Sequence, residues 1–238
     1  MKLANSQNVP MLTSEHEVRL SASTGTETFG VQGAYSITKS LAVMGEYSYG
    51  LDELHSYSGG NWFNYGARTS GEIAIGLYEI SKPKDKNNLM SFELFGGVES
   101  YHRDFEFIDR DFENGEWYNV NINLIKPFVQ GDIGFLNSAK KGFGLSCKVG
   151  YMIFQKFEMT ETVNGSPNYS KYNYSSTTNI PEFQPCFTYR FGWKRFNFQF
   201  QLGASLSDIP TIQIYDFGEN PVFFNGGVSL KLFGESSD

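Results

Sequence analysis

The stretch Arg195-Phe196-Asn197-Phe198-Gln199-Phe200-Gln201-Leu202-Gly203-Ala204-Ser205 decides the fold. Side chains of an extended chain alternate with a period of two, so Phe196, Phe198, Phe200, Leu202 and Ala204 share one face and Asn197, Gln199, Gln201, Gly203 and Ser205 the other. An apolar face this aromatic needs a cover. The chain offers almost no segment of helical periodicity to supply one, and the same alternation recurs from end to end. Lipid is then the simplest partner, with the polar faces turned into the interior of a closed sheet.

Working outward, the preceding strand sets Phe187, Tyr189, Phe191 and Trp193 against Cys186, Thr188, Arg190 and Gly192. The following one, beyond Pro210 and Pro221, sets Phe224, Gly226, Val228, Leu230 and Leu232 against Phe223, Asn225, Gly227, Ser229 and Lys231. Three hairpin-linked strands precede residue 51, led by Val18, Leu20 and Ala22, by Phe29, Val31 and Tyr35, and by Leu41, Val43 and Tyr47. Further strands carry Ile73, Ile75 and Leu77, then Phe92, Leu94, Gly96 and Val98, and later Phe143, Leu145, Cys147, Val149, Tyr151 and Ile153. Between them, 117–135 changes phase at Lys126 and Pro127, where proline cannot donate to a ladder, and a bulge or kink is expected there.

The sum is about ten strands, and an even number suits a single-chain barrel. Short turns at Lys39, Pro83, Ser138 and Lys194 alternate with longer loops, expected from Leu51 to Tyr65, from Asp104 to Glu116, from Thr160 to Thr177 and around Tyr215, only the Gly25 turn being short on the loop side. The expected fold is all-β: an antiparallel, up-and-down transmembrane β-barrel with both termini on the periplasmic side. Strands of about 10 residues at moderate tilt cover the roughly 25 Å apolar belt of an outer membrane. The chain divides into a polar lead (1–15), one barrel domain (16–233) and a short tail (234–238).

Composition agrees. The 238 residues include 22 Phe, 14 Tyr and 25 Gly, a profile of strands and turns. A net charge of -7 without clustered Lys or Arg excludes a nucleic-acid partner. No apolar run reaches the roughly 20 residues of a helical span. Cys147 and Cys186 fall on opposite faces of neighbouring strands, so two free thiols are expected rather than a disulfide. No apolar core follows Met1, Lys2 and Leu3, so residue 1 is expected to open a mature chain from which a secretion leader has been removed.

Short matches spread over most of the chain resemble the uncharacterised outer-membrane β-barrel proteins of Bacteroidota. They are Asn8, Val9, Pro10 and Leu12; Gln32, Ala34, Tyr35, Ile37 and Thr38; Leu41 to Met44; Gly76, Leu77 and Tyr78; and Arg190 to Trp193. The resemblance implies an outer-membrane location, an acylated Cys ahead of the corresponding region in many relatives, and no enzymatic activity. No such Cys stands in this sequence.

The polar faces gather Glu17, Arg19, Glu46, Glu72, Glu93, Glu99, Asp132, Lys148, Arg190 and Lys231. A ten-stranded barrel is little wider than the eight-stranded kind that side chains fill, so these charges are expected to pair and plug the lumen. Of the three histidines, His16, His55 and His102, the last precedes Arg103, Asp104, Glu106, Asp109 and Asp111 and is the best candidate for a His–carboxylate dyad, as an outer-membrane hydrolase would need. None pairs at metal-ligand spacing, and neither metal nor cofactor is expected. Trp62, Tyr65, Tyr169, Tyr172 and Tyr174 fall in the expected loops, with Trp117 beside them at the start of a strand, and suit recognition of protein or glycan, or an interfacial girdle. The Asn-x-Ser triplets at Asn164, Asn168 and Asn173 are expected to carry no role.

The expected function is that of a small non-enzymatic outer-membrane barrel with a filled lumen, an accessory or structural subunit of an envelope complex or a surface-binding protein. Its partners would be outer-membrane lipid, lipopolysaccharide included, and other envelope proteins. A narrow pore, a soluble lipocalin-like barrel with its aromatics turned inward, and a hydrolase are the alternatives.

Overall fold

In the computed structural model of the chain, the described residues are 7–25, 28–53, 64–81, 88–109, 116–137, 141–163, 166–168, 180–193, 195–207 and 222–233. The strands among them are β1 (Val18–Gly25), β2 (Thr28–Ser36), β3 (Leu41–Glu53), β4 (Asn64–Ser81), β5 (Asn88–Asp109) and β6 (Glu116–Asn137). They continue with β7 (Lys141–Val163), β8 (Ser166–Asn168), β9 (Ile180–Gly192), β10 (Phe196–Ala204), β11 (Leu206–Ser207) and β12 (Val222–Phe233). Each long strand pairs antiparallel with its neighbour, β1 with β12 and β7 with β9, which closes a ten-stranded barrel. The short β8 and β11 add to β7 and β9.

The alternation read from sequence is the wall of this barrel. Ile73, Ile75, Leu77, Leu94, Val129, Leu145 and Phe224 face outward and are exposed, while Glu72, Ala74, Glu93, Gln130, Ser146 and Asn225 face the lumen and are buried. Phe198 and Phe200 are 38% and 40% exposed, so the aromatic face points away from the interior and a lipocalin-like calyx is ruled out. Cys147 and Cys186 are both free, Cys186 buried on the lumen side and Cys147 on the outer face.

β5, β6 and β7 are 22, 22 and 23 residues long. At about 3.3 Å per residue each runs roughly 70 Å, far more than a belt of about 25 Å requires. The segments taken as loops from Leu51 to Tyr65 and from Asp104 to Glu116 are thus partly strand: β3 continues to Glu53, β4 begins at Asn64, and β5 continues to Asp109. The phase change expected at Lys126 is not a break in β6. Even-numbered residues from Val120 to Gly134 all face the interior, and Pro127 pairs in register with Val98. The register shift lies nearby, between Asn123 and Leu124 against β7, where Gln155 is passed over.

Residues 7–14, read from sequence as part of a polar lead, lie inside the barrel. Gln7, Asn8, Val9, Pro10, Met11 and Leu12 are all buried. Ser14 sits at the short-turn rim, its carbonyl accepting from Ser36 Oγ at 2.7 Å, and from there back to Gln7 the chain climbs into the lumen. β12 pairs with the whole length of β1, with Phe233 opposite Val18 at the same rim.

Candidate functional site

Among the described residues the lumen gathers the charged side chains, and its contents change with height. At the short-turn rim Glu17, ahead of β1, accepts from Arg19 Nη2 at 2.5 Å and from Thr13 N and Oγ1 at 2.9 and 2.7 Å, and pairs with Lys231 Nζ at 3.0 Å. Burial alone would push its carboxyl up, but Arg19, Lys231 and the Thr13 hydroxyl outweigh burial and hold the pKa down to about 2.

Above this rim, the wall grips the backbone of the internal segment. Gln201 Nε2 donates to the Gln7 carbonyl at 2.6 Å, and Gln130 Nε2 to the Asn8 carbonyl at 2.7 Å. Arg190 donates to the carbonyls of Val9 and, at 2.8 Å, Pro10, while its Nε is held by Gln199 Oε1. The Glu93 carboxylate accepts from Leu12 N at 2.6 Å and Met11 N at 3.3 Å. The segment's own side chains answer: Asn8 Nδ2 donates to the carbonyls of Gly33 and Gly45, and Gln7 Nε2 to that of Gln184. Leu12 packs with Ala34, Ala42, Met44, Ala74, Tyr78, Phe95 and Phe128, where three alanines leave room for it.

Higher still, side chains pair wall to wall. Lys126 Nζ lies 2.6 Å from Glu99 and 2.7 Å from Glu182, and Lys148 Nζ lies 2.5 Å from Glu72 and 4.6 Å from the centre of the Phe128 ring. These charged side chains are at most 6% exposed. Tyr101, Leu124, Met152 and Ile180 then form an apolar layer directly above, each a few residues further along the same strands.

The structure therefore brings the predicted network together in two groups rather than one. Glu17, Arg19 and Lys231 form the rim group, with Glu93, Asp132 and Arg190 lining the lumen just above; Glu72, Glu99 and Lys148 belong to the upper group. Glu46 sits beside Gln32, whose Nε2 donates to it at 3.1 Å. Lys126 and Glu182, central to the upper group, were not among the residues singled out from sequence. The signal was present for Glu182, which falls on the same alternating face as Gln184, Thr188 and Arg190; for Lys126 it was obscured by the apparent phase change.

Of the aromatic candidates, Trp62, Tyr169, Tyr172 and Tyr174 lie outside the described residues, as does His55. Tyr65 stands on β4 rather than in a loop, paired with Glu53 and Glu106, and Trp117 lies near the start of β6, where a strand was expected, paired with Ile108 and Thr162. His102 does meet a carboxylate, Nε2 to Asp104 Oδ2 at 2.7 Å, but its Nδ1 is taken by Asn123 and the pair lies half exposed on the outer surface of β5. With both ring nitrogens engaged by Asp104 and Asn123, the imidazole is not aimed at a nucleophile. His16 contacts Tyr35 at the rim. Among the described residues no group of His, Cys, Asp and Glu is placed to hold a metal ion.

An exposed apolar belt of this extent far exceeds the patches that soluble monomers leave uncovered. A closed antiparallel barrel so girdled, its wall strands paired with one another all the way round, is the architecture of the bacterial outer membrane.

No protein-family model matches the chain, and no curated protein does. Among solved structures it is similar to the KdgM porin, at 6% identity and a TM-score of 0.35, over 91% of this chain and 99% of that one. It is also similar to the transport unit of the autotransporter AIDA-I from Escherichia coli, at 9% identity and a TM-score of 0.26, over 97% and 93%. Likeness at this level says nothing of ligand or activity.

Proposed function

We propose that the protein is a non-enzymatic outer-membrane barrel with a closed lumen that works through its surfaces, as an accessory or structural subunit of an envelope complex or as a surface-binding protein. The occupied lumen carries this reading. A conduit needs a continuous water path, whereas here the backbone of residues 7–14, the ion pairs of Lys126 and Lys148 and the layer of Tyr101, Leu124, Met152 and Ile180 follow one another across the interior. The commitment of both His102 nitrogens supports the absence of a hydrolytic site. Membership of the Bacteroidota barrel family that its short matches resemble is part of the same proposal. Outer-membrane lipid and other envelope proteins are the partners.

The intact protein reconstituted into planar bilayers is expected to show no steady single-channel steps, and detergent extraction of the native envelope is expected to release it with other subunits. Steady ohmic conductance would replace this reading with a narrow pore, and release as a lone monomer would remove the accessory role.

A further inference from the structure

We infer that the lower lumen is a binding channel for an extended peptide, and that Gln7–Leu12 is its tethered occupant, replaceable by the same peptide supplied free. The inference rests on the closed-lumen reading above and adds what the closure is made of.

Three observations converge on it. First, every residue from Gln7 to Leu12 has a main-chain group held by a wall side chain, and the contacts have a direction: amide and guanidinium donors meet the carbonyls of residues 7 to 10, and one carboxylate meets the N–H groups of residues 11 and 12. A wall that only filled space would not need this order. Peptides bind chiefly through their backbone when they are extended, with pockets for selected side chains setting preference.

Second, such pockets exist. Gly134 and Gly144 face each other across β6 and β7, and a Cβ on Gly144 would overlap Met11 Cε, while one on Gly134 would crowd Met11 Cγ and overlap Ser91 Oγ. The glycine pair is thus a notch for one long, flexible apolar side chain, reached where the segment turns through a left-handed residue, Met11, at φ 48°.

Third, the segment takes no part in the wall. The barrel closes through β1–β12 and β7–β9, and the backbone bonding that joins this region to the sheet starts only at His16, whose N–H meets the Ser36 carbonyl. The ligand class that fits is an extended oligopeptide carrying Asn at the position of residue 8, where its amide caps the Gly33 and Gly45 carbonyls, and Met or a similar side chain three residues later.

The test uses the full chain with a site-specific protease sequence inserted between Glu15 and exposed His16, folded into micelles and then cut. The cut segment is expected to leave on dilution while the barrel keeps its compact mobility on unheated gels. A dye-labelled synthetic peptide of sequence Gln7–Ser14 should then bind the emptied barrel saturably by fluorescence anisotropy, the reversed sequence should not, and Arg190→Ala should weaken binding by at least about tenfold, as the loss of charge-assisted hydrogen bonds predicts. Equal binding of both peptides, no binding, unfolding once the segment leaves, or a segment that never leaves short of denaturation each overturns the inference. The uncut protein, closed or conducting in planar bilayers, reports separately on the closed-lumen reading.

Discussion

β5 and β6 cross two zones whose inside and outside are exchanged. In the lower zone the exterior is Leu94, Val98, Val129 and Ile133, and the interior is Glu93, Glu99, Gln130 and Asp132. In the upper zone the exterior is His102, Asp104, Glu106, Asn119, Asn121 and Asn123, and the interior is Tyr101, Phe105, Val120, Ile122 and Leu124, with Arg103 stacked on the Phe105 ring among them. The period of two never breaks between them; what changes is the solvent on the outer side. Where lipid covers the wall, polar groups must be satisfied within. Where water covers it, the wall buries apolar groups as any soluble sheet does. Lys126, with Glu99 and Glu182, stands at the boundary, next to the apolar layer of Leu124 and Tyr101.

That boundary should be the most sensitive point. Lys126→Ala leaves Glu99 and Glu182 buried without their shared cation, and urea unfolding in micelles is expected to register a loss of about 3–5 kcal/mol. An unchanged midpoint would mean that water reaches the network and the boundary is not sealed. The exchange of solvents is tested by one substitution made on both sides of it. Ile75→Arg, on the lower exterior, is expected to cost about 2–4 kcal/mol, and Asn119→Arg, on the upper exterior, to stay within about 0.5 kcal/mol. Equal costs would erase the distinction between the zones.

Below the belt, the rim group should respond to pH rather than to lipid. The Glu17 pKa is lower folded, at about 2, than its usual 4.5, so its contribution is complete above pH 4.5 and lost as pH falls towards 2. Allowing for screening at the partly exposed Lys231, about 2–3 kcal/mol should disappear over that window in wild type, and much less in Glu17→Gln. Parallel pH profiles of the two proteins would show that the Glu17 carboxylate does not anchor the rim.

Much of this was legible in the sequence. The ten wall strands, the side of the sheet that meets lipid, the alternation of short and long connections and most of the lumen charges follow from a period of two and the absence of helical cover. The upper zone was harder because its pattern has the opposite sign. Phe105 pointing inward between Asp104 and Glu106 looks like an acidic, aromatic loop until one knows that water lies outside. Lys126 looked like a phase change for the same reason. The internal segment was not legible at all, since Gln7–Leu12 has no periodicity and its order comes from partners as distant as Gln201, 194 residues along the chain.

The joint between that segment and the wall has a quantitative consequence. Only Glu15, His16 and Glu17 separate Ser14 from β1, and the joint is pinned by the His16 N–H to the Ser36 carbonyl. A group held on so short a leash faces its site at an effective concentration on the order of millimolar. A free-peptide dissociation constant of about 10 μM would then keep the channel occupied roughly 99% of the time. Connectivity supplies the residence that the contacts alone would not, so the wall can hold its occupant firmly while binding it only modestly.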